Sequence, residues 1–320
     1  MFISSGGLPY HNYTTRRHIL VISQEFKRCY MSKINIFIII FMSFPISIGI
    51  LDMLSTRGIW IDDYNFALSA GYDVSIHMER LDAWNGFYLF EQLFFLHNET
   101  LFLALLIFVI GSSINIAANL FSALNTGYGI NIVTRMKYSE YLRNTIIAQF
   151  AFLSTFLLGI FLIILIACLV IGGGPFVPPP GPWLSNVTHG VIPVPRYVFI
   201  MFSIILYIAL CKSMLILVTS VSFVFLKNKY IIQFTPPAFM IGMLIFAFTI
   251  GNLHYLLGVV ARALLYLHAF SSFSNMFSIN VIVPTFETNL AFAVAYPLLL
   301  ITAFIILYKI NVSKLSRNYL

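Results

Sequence analysis

Six apolar stretches dominate the chain, at about residues 34–53, 101–121, 144–172, 197–226, 237–257 and 289–308. Each reaches the ~20 residues that an α-helix needs to cross ~30 Å of hydrocarbon. They predict an all-α polytopic membrane protein with six transmembrane helices. Ahead of them, Ile19, Ile22, Phe26, Cys29 and Tyr30 recur at three- and four-residue steps, with Arg17, Gln24, Lys27 and Arg28 interleaved. That spacing predicts an amphipathic helix in the headgroup layer, within an N-terminal segment 1–33. Residues 34–320 then form the transmembrane domain.

The polar connections divide into two kinds. Residues 54–100 mix acids with Trp60, Tyr64, Trp84, Phe87, Tyr88 and Phe94. The segment is short and carries no staple, so tight folding is not expected of it. Residues 173–196 begin in a Gly/Pro run, GGGPFVPPPGPW at 172–183, which predicts an extended polyproline-like connector. Residues 258–288 are nearly as apolar as a span, but Ser271, Ser272, Ser274 and Asn275 interrupt them. A re-entrant helical hairpin before the last span is expected there, with two further crossings as the alternative.

Charge sets the orientation. Thirteen of the 18 Lys and Arg residues fall before the first span, in the second and fourth connections, and in the tail. The other three connections hold only Arg57, Arg80, Arg196 and Arg262. Basic residues mark the cytoplasmic side, so both termini are expected inside and the 54–100, 173–196 and 258–288 segments outside. A 60% hydrophobic, 9% charged chain with a mean hydropathy of +0.92 is too apolar for a soluble globule of this length. Nine of the 11 acids lie in or beside the outer segments. The net charge of +7 therefore reads as a topology signal facing a lipid bilayer, not as an affinity for nucleic acid. Cys29, Cys168 and Cys211 avoid the outer segments, so no external disulfide is implied.

Candidate chemistry is sparse. There is no Walker motif, HExxH, paired-cysteine metal spacing or nucleophile elbow, and no metal, cofactor or catalytic residue is expected. TGYG at 126–129 lacks the valine of a potassium filter and enters a basic inner segment, so it reads as a glycine helix stop. No Asp or Glu lies in the interior of a span (Asp52 stands at the edge of the first), which argues against a proton-driven transporter or an intramembrane aspartyl protease. Lys212 lies near the midpoint of 197–226, where a charge costs at least ~2.5 kcal/mol to insert. It lines a hydrated path or it snorkels, and both readings stay open. Asn115 and Asn119, one turn apart beside Gly111 and Ala118, suit a helix–helix contact better than a substrate path. His254 and His268 have no third metal ligand nearby in sequence.

Three stretches together carry a family resemblance. QEFKRCYMSKINIFIII at 24–40 and GYGINIVTRMKYSEYLRNTIIAQF at 127–150 resemble type-2 ATP-binding-cassette permeases. In that family a basic amphipathic helix with a Glu–x–x–Arg element, here Glu25 and Arg28, leads into the first span. The second stretch resembles its coupling loop. The apolar hairpin and short basic tail match the general layout. The long first outer segment is similar to that of Gram-positive antimicrobial-peptide export and immunity permeases. The resemblance implies an exporter of an amphipathic peptide or lipid-like molecule in a bacterial plasma membrane. It implies a separate ATPase partner and a second permease subunit. Arg135, Met136, Lys137, Tyr138, Glu140 and Tyr141 would couple to the ATPase, and Arg17, Glu25, Phe26 and Arg28 would form the interfacial helix. The alternative is a non-transporting immunity or scaffold protein that binds a peptide.

Overall fold

The computed structural model describes residues 10–82, 84–95, 98–125, 137–172, 194–222, 228–251 and 286–316. These form nine helices and no strand among the described residues. They are α1 (Tyr10–Tyr30), α2 (Ile34–Ala70), α3 (Ser75–Asp82), α4 (Gly86–Phe95), α5 (Asn98–Asn125), α6 (Tyr138–Gly172), α7 (Val194–Ser222), α8 (Lys229–Gly251) and α9 (Phe286–Ser316). Four of them, α2, α5, α6 and α7, hold stretches long and apolar enough to cross a membrane. The chain is a membrane-embedded helical protein. The hairpin expected at 258–288 and the Gly/Pro connector expected at 173–196 lie almost wholly outside the described residues, as do 126–136.

The first apolar stretch does not stop where its hydropathy does. Helix α2 runs for 37 residues, about 55 Å at 1.5 Å per residue, and ends only at Gly71. Gly71 takes φ +71°, and the Tyr72 amide donates to the Ala67 carbonyl at 2.9 Å, a left-handed cap that suits glycine. The fifth apolar stretch begins earlier than expected. Asn228 accepts hydrogen bonds from the Tyr230 and Ile231 amides at 3.0 and 3.4 Å, so α8 starts at Lys229, with Pro236 and Pro237 inside it.

The 54–100 segment packs, contrary to expectation. Helix α4 buries Phe87, Leu89, Phe90 and Leu93 against α6, α5 and α2. Gly86 makes this possible. A Cβ there would collide with the backbone of Leu169 and Cys168, and one at Gly172 with the backbone of Gly86. Two backbones therefore meet with no side chain between them. Trp60 of α2 and Trp84 meet edge-to-face at 6.1 Å, Tyr88 lies against both, and the Arg57 guanidinium sits 5.3 Å over the Trp84 ring. Composition alone does not show that the aromatics close on one another.

Helix α5 is central, packed between α2 and α8, while α6 joins α1 and α4 to α7. The seam holds Phe108, Phe152, Phe161 and Leu157, all fully buried. Gly111 admits Ile38 against the α5 backbone. The outer face of α2 is apolar and open at Phe37, Phe41, Phe44, Ile48 and Leu51. In hydrocarbon such a stripe meets lipid tails, and packing between helices supplies the adhesion.

Candidate functional site

Polar side chains gather where α1 meets α5 and α6. A helix leaves its last carbonyls without intrahelical partners, and at the end of α1 the bundle supplies them. Asn35 Nδ2 donates to the Cys29 and Tyr30 carbonyls at 2.9 Å each. Asn115 Nδ2 donates to the Cys29 carbonyl at 3.2 Å and to Asn35 Oδ1 at 3.0 Å. Asn119 Nδ2 continues the ladder to Asn115 Oδ1 at 2.9 Å and to Cys29 Sγ at 3.4 Å. All four side chains are buried. Asn115 and Asn119, expected as helix-contact or path residues, thus tie α1, α2 and α5 together.

A second contact holds the middle of α1. Glu25, 1% exposed, accepts a hydrogen bond from Tyr141 Oη at 3.2 Å and lies 3.8 Å from the Arg28 guanidinium. One α1 turn-pair earlier, His18 Nδ1 and Asn144 Nδ2 are 2.8 Å apart. Phe26 and Tyr30 pack at 5.3 Å, and Tyr30 meets Phe152 edge-on at 5.4 Å. Burial, and then the charge of Glu25, push the Cys29 thiol up to about 12. Helix α1 therefore presents its polar positions 18, 25 and 28 to the protein, while Ile19, Leu20 and Met31 are exposed. Ser23, Gln24 and Lys27 are exposed as well, and Ile22 and Phe26 are half-buried, so both faces of α1 mix polar and apolar side chains.

The coupling residues separate on inspection. Arg135 and Met136 lie outside the described residues, as do the side chains of Arg17 and Tyr138. Lys137 is exposed, and its carbonyl accepts from the Glu140 and Tyr141 amides at 3.0 and 3.1 Å. Glu140 is half-buried. Tyr141, expected on a partner-facing surface, is instead 2% exposed and turned onto Glu25. Residue type and spacing place two tyrosines on one helical side; only the neighbouring helix decides which side is inward.

Packing sets the heights of the helices around Lys212. Phe108 and Phe156 stack at 6.3 Å and set the antiparallel register of α5 and α6, so seven residues on, Asn115 stands level with Gln149. Asn311 Nδ2 donates to the Val221 carbonyl at 2.7 Å and Tyr308 Oη to the Ser139 carbonyl at 2.8 Å, which bring the near ends of α6, α7 and α9 together. Nine residues back along α7, about 14 Å, Lys212 stands near the Thr145–Gln149 turn. It is 2% exposed, beside fully buried Ser213. Gln149 is fully buried, and its amide atoms have no hydrogen-bond partner among the described residues. Polarity at one height was invisible in sequence because the levels of four helices are set by packing.

Among the described residues no three His, Cys, Asp or Glu side chains stand together as metal ligands. A groove of about 410 Å³ between α2 and α5 has only apolar walls, including Phe37, Phe41, Ile110 and Ile114, and suits an acyl chain or apolar side chain. No family model, curated protein or solved structure matches this chain.

Proposed function

We propose that this chain is the membrane-spanning permease subunit of an ATP-binding-cassette exporter for an amphipathic peptide or lipid-like substrate. A separate ATPase chain supplies the energy, and a second permease subunit completes the path. In this reading six helices cross the plasma membrane, both termini are cytoplasmic, and the 258–288 hairpin lies on the outer face.

One observation carries the reading beyond the sequence resemblance. Helix α1 is fastened by Glu25–Tyr141 and by the Asn35–Asn115–Asn119 ladder to the two helices that flank the inner 126–137 segment. A push on that segment moves α5, α6 and α1 together, because packed helices shift as rigid pieces. That is the mechanical requirement for passing an ATPase closure into a bundle. Without a Walker motif in this chain, the nucleotide site belongs to a partner.

The test is affinity purification of the full chain from native membranes in mild detergent. A stoichiometric Walker-motif ATPase is expected with the wild type. Reversing the charges of exposed Lys137 and half-buried Glu140 is expected to release it, while Cys29 stays protected from alkylation. If no ATPase accompanies the wild-type chain, the peptide-binding scaffold replaces the permease.

A further inference from the structure

At Asp52–Met53, helix α2 leaves the apolar stretch and continues as an arm. Asp52, Arg57, Asp62 and Asp63 fall within 12 residues, a charge density that hydrocarbon does not accept. From Asp52 to Phe66 the helix rises about 21 Å. One side of this arm packs: Met53 and Ala67 are buried, and Trp60 lies against Trp84 and Tyr88.

The opposite side has a regular pattern. Asp52, Ser55, Ile59, Asp62, Asp63 and Phe66 recur at three- and four-residue steps, and all are exposed. Ile59 is 56% and Phe66 68% exposed, and beyond the Gly71 turn Tyr72 and Ile76 are 67% and 61% exposed. Asp62 and Asp63 are in no salt bridge among the described residues. Arg57 leans to the packed side, over Trp84. Among the described residues the open side thus alternates carboxylates with large apolar side chains and bears no base.

We propose that this open face of α2 is the docking surface for a cationic amphipathic peptide lying along the arm. Basic side chains would meet Asp62 and Asp63, and apolar ones would cover Ile59 and Phe66. Those two are seven residues apart, two helical turns, so a partner helix with apolar residues at the same interval matches them. Two other occupants fit less well. Asp62 and Asp63 beside Ile59 and Phe66 do not suit hydrocarbon, and the carboxylates repel anionic headgroups. A second copy of the chain would bring the same carboxylates face to face. The inference rests on the outer placement of the 54–100 segment and names the substrate class of the proposed function; it does not depend on the ATPase.

The test uses the full chain in a neutral detergent and a fluorescent synthetic Lys/Leu amphipathic helix of about 20 residues, with a Glu/Leu counterpart as control. Saturable binding of the Lys/Leu peptide is expected, weakening as salt rises from ~50 to ~300 mM. The pairs Asp62→Asn with Asp63→Asn, and Ile59→Ala with Phe66→Ala, should each weaken it about tenfold. All four side chains are exposed, so the variants keep the fold, which unchanged elution and Cys29 protection verify. Equal affinity in wild type and both variants, no binding by the wild type, or equal binding of the Glu/Leu peptide overturns the proposal. Variants that lose self-association while peptide affinity stays the same overturn it in favour of a second copy. ATPase co-purification from the same preparations separates the two readings. Loss of the ATPase with arm-dependent binding intact removes only the permease, and the converse removes only the docking face.

Discussion

Tyr141 shows how one side chain changes role once its surroundings are known. It stands three residues after Tyr138 in a charged segment, the composition of a protein-contact surface. Its hydroxyl instead reaches Glu25, 116 residues away in sequence, and shares in holding a buried carboxylate beside Arg28. Leaving such a group short of a donor costs about 1–3 kcal/mol. Tyr141→Phe is therefore expected to loosen α1 by that order. The rate of Cys29 alkylation reads it, since that thiol is fully buried in the docked helix. The same thiol supplies a pH dependence. Its folded-state value, about 12, is above its ordinary 9.0, so the folded form holds the proton more tightly. The stabilisation is complete below pH ~9 and fades as the pH rises towards ~12. Helix α1 should undock in that alkaline window, and Cys29→Ser should lessen the effect. Proteolysis within residues 18–31 reads both forms, and equal protection of wild type and Cys29→Ser across that window would count against the assignment.

Among elements, α4 departs furthest from its reading as part of an outer connection. Its apolar residues were legible, but its seat was not, because that depends on Gly86 lying against Leu169 and Gly172 on a helix some 80 residues away. Gly86→Val is expected to force the two backbones apart and free Trp84 and Tyr88 from Trp60. A strain of this kind costs roughly 1–3 kcal/mol. The measurement is a red shift of Trp fluorescence and faster proteolysis in 75–95, with α2, α5 and α6 still inserted. A variant with wild-type emission and protease resistance would show that the glycine contact is dispensable. Helix α2 gives the complementary lesson. Hydropathy marks its first 20 residues as a span, but helix propagation obeys backbone hydrogen bonding and continues until Gly71 supplies a left-handed stop.

For the whole molecule, the proposed orientation rests on charge. The basic residues favour one set of connections by thirteen to four. Single cysteines at Ser69 and Ser313, both exposed, should react differently with an impermeant thiol reagent on intact cells. Labelling at 69 and protection at 313 are expected, and the opposite pattern would invert the assembly and place the acidic arm inside.

The sequence by itself determined that the chain is helical and lives in a membrane, because long apolar runs have no other stable arrangement in or out of lipid. It also determined the absence of an ATP-binding motif and the sidedness of charge, which are properties of residue type and order. Tertiary structure alone decided the rest: that Tyr141 faces inward, that Lys212 is buried beside Ser213, that Asn35, Asn115 and Asn119 make one ladder, and that the α2 arm leaves its acidic side open. Each of these depends on the height and rotation of one helix against another. Both are set by close packing at a few contacts, such as Phe108 on Phe156 and Gly86 on Leu169, whose partners lie dozens of residues apart.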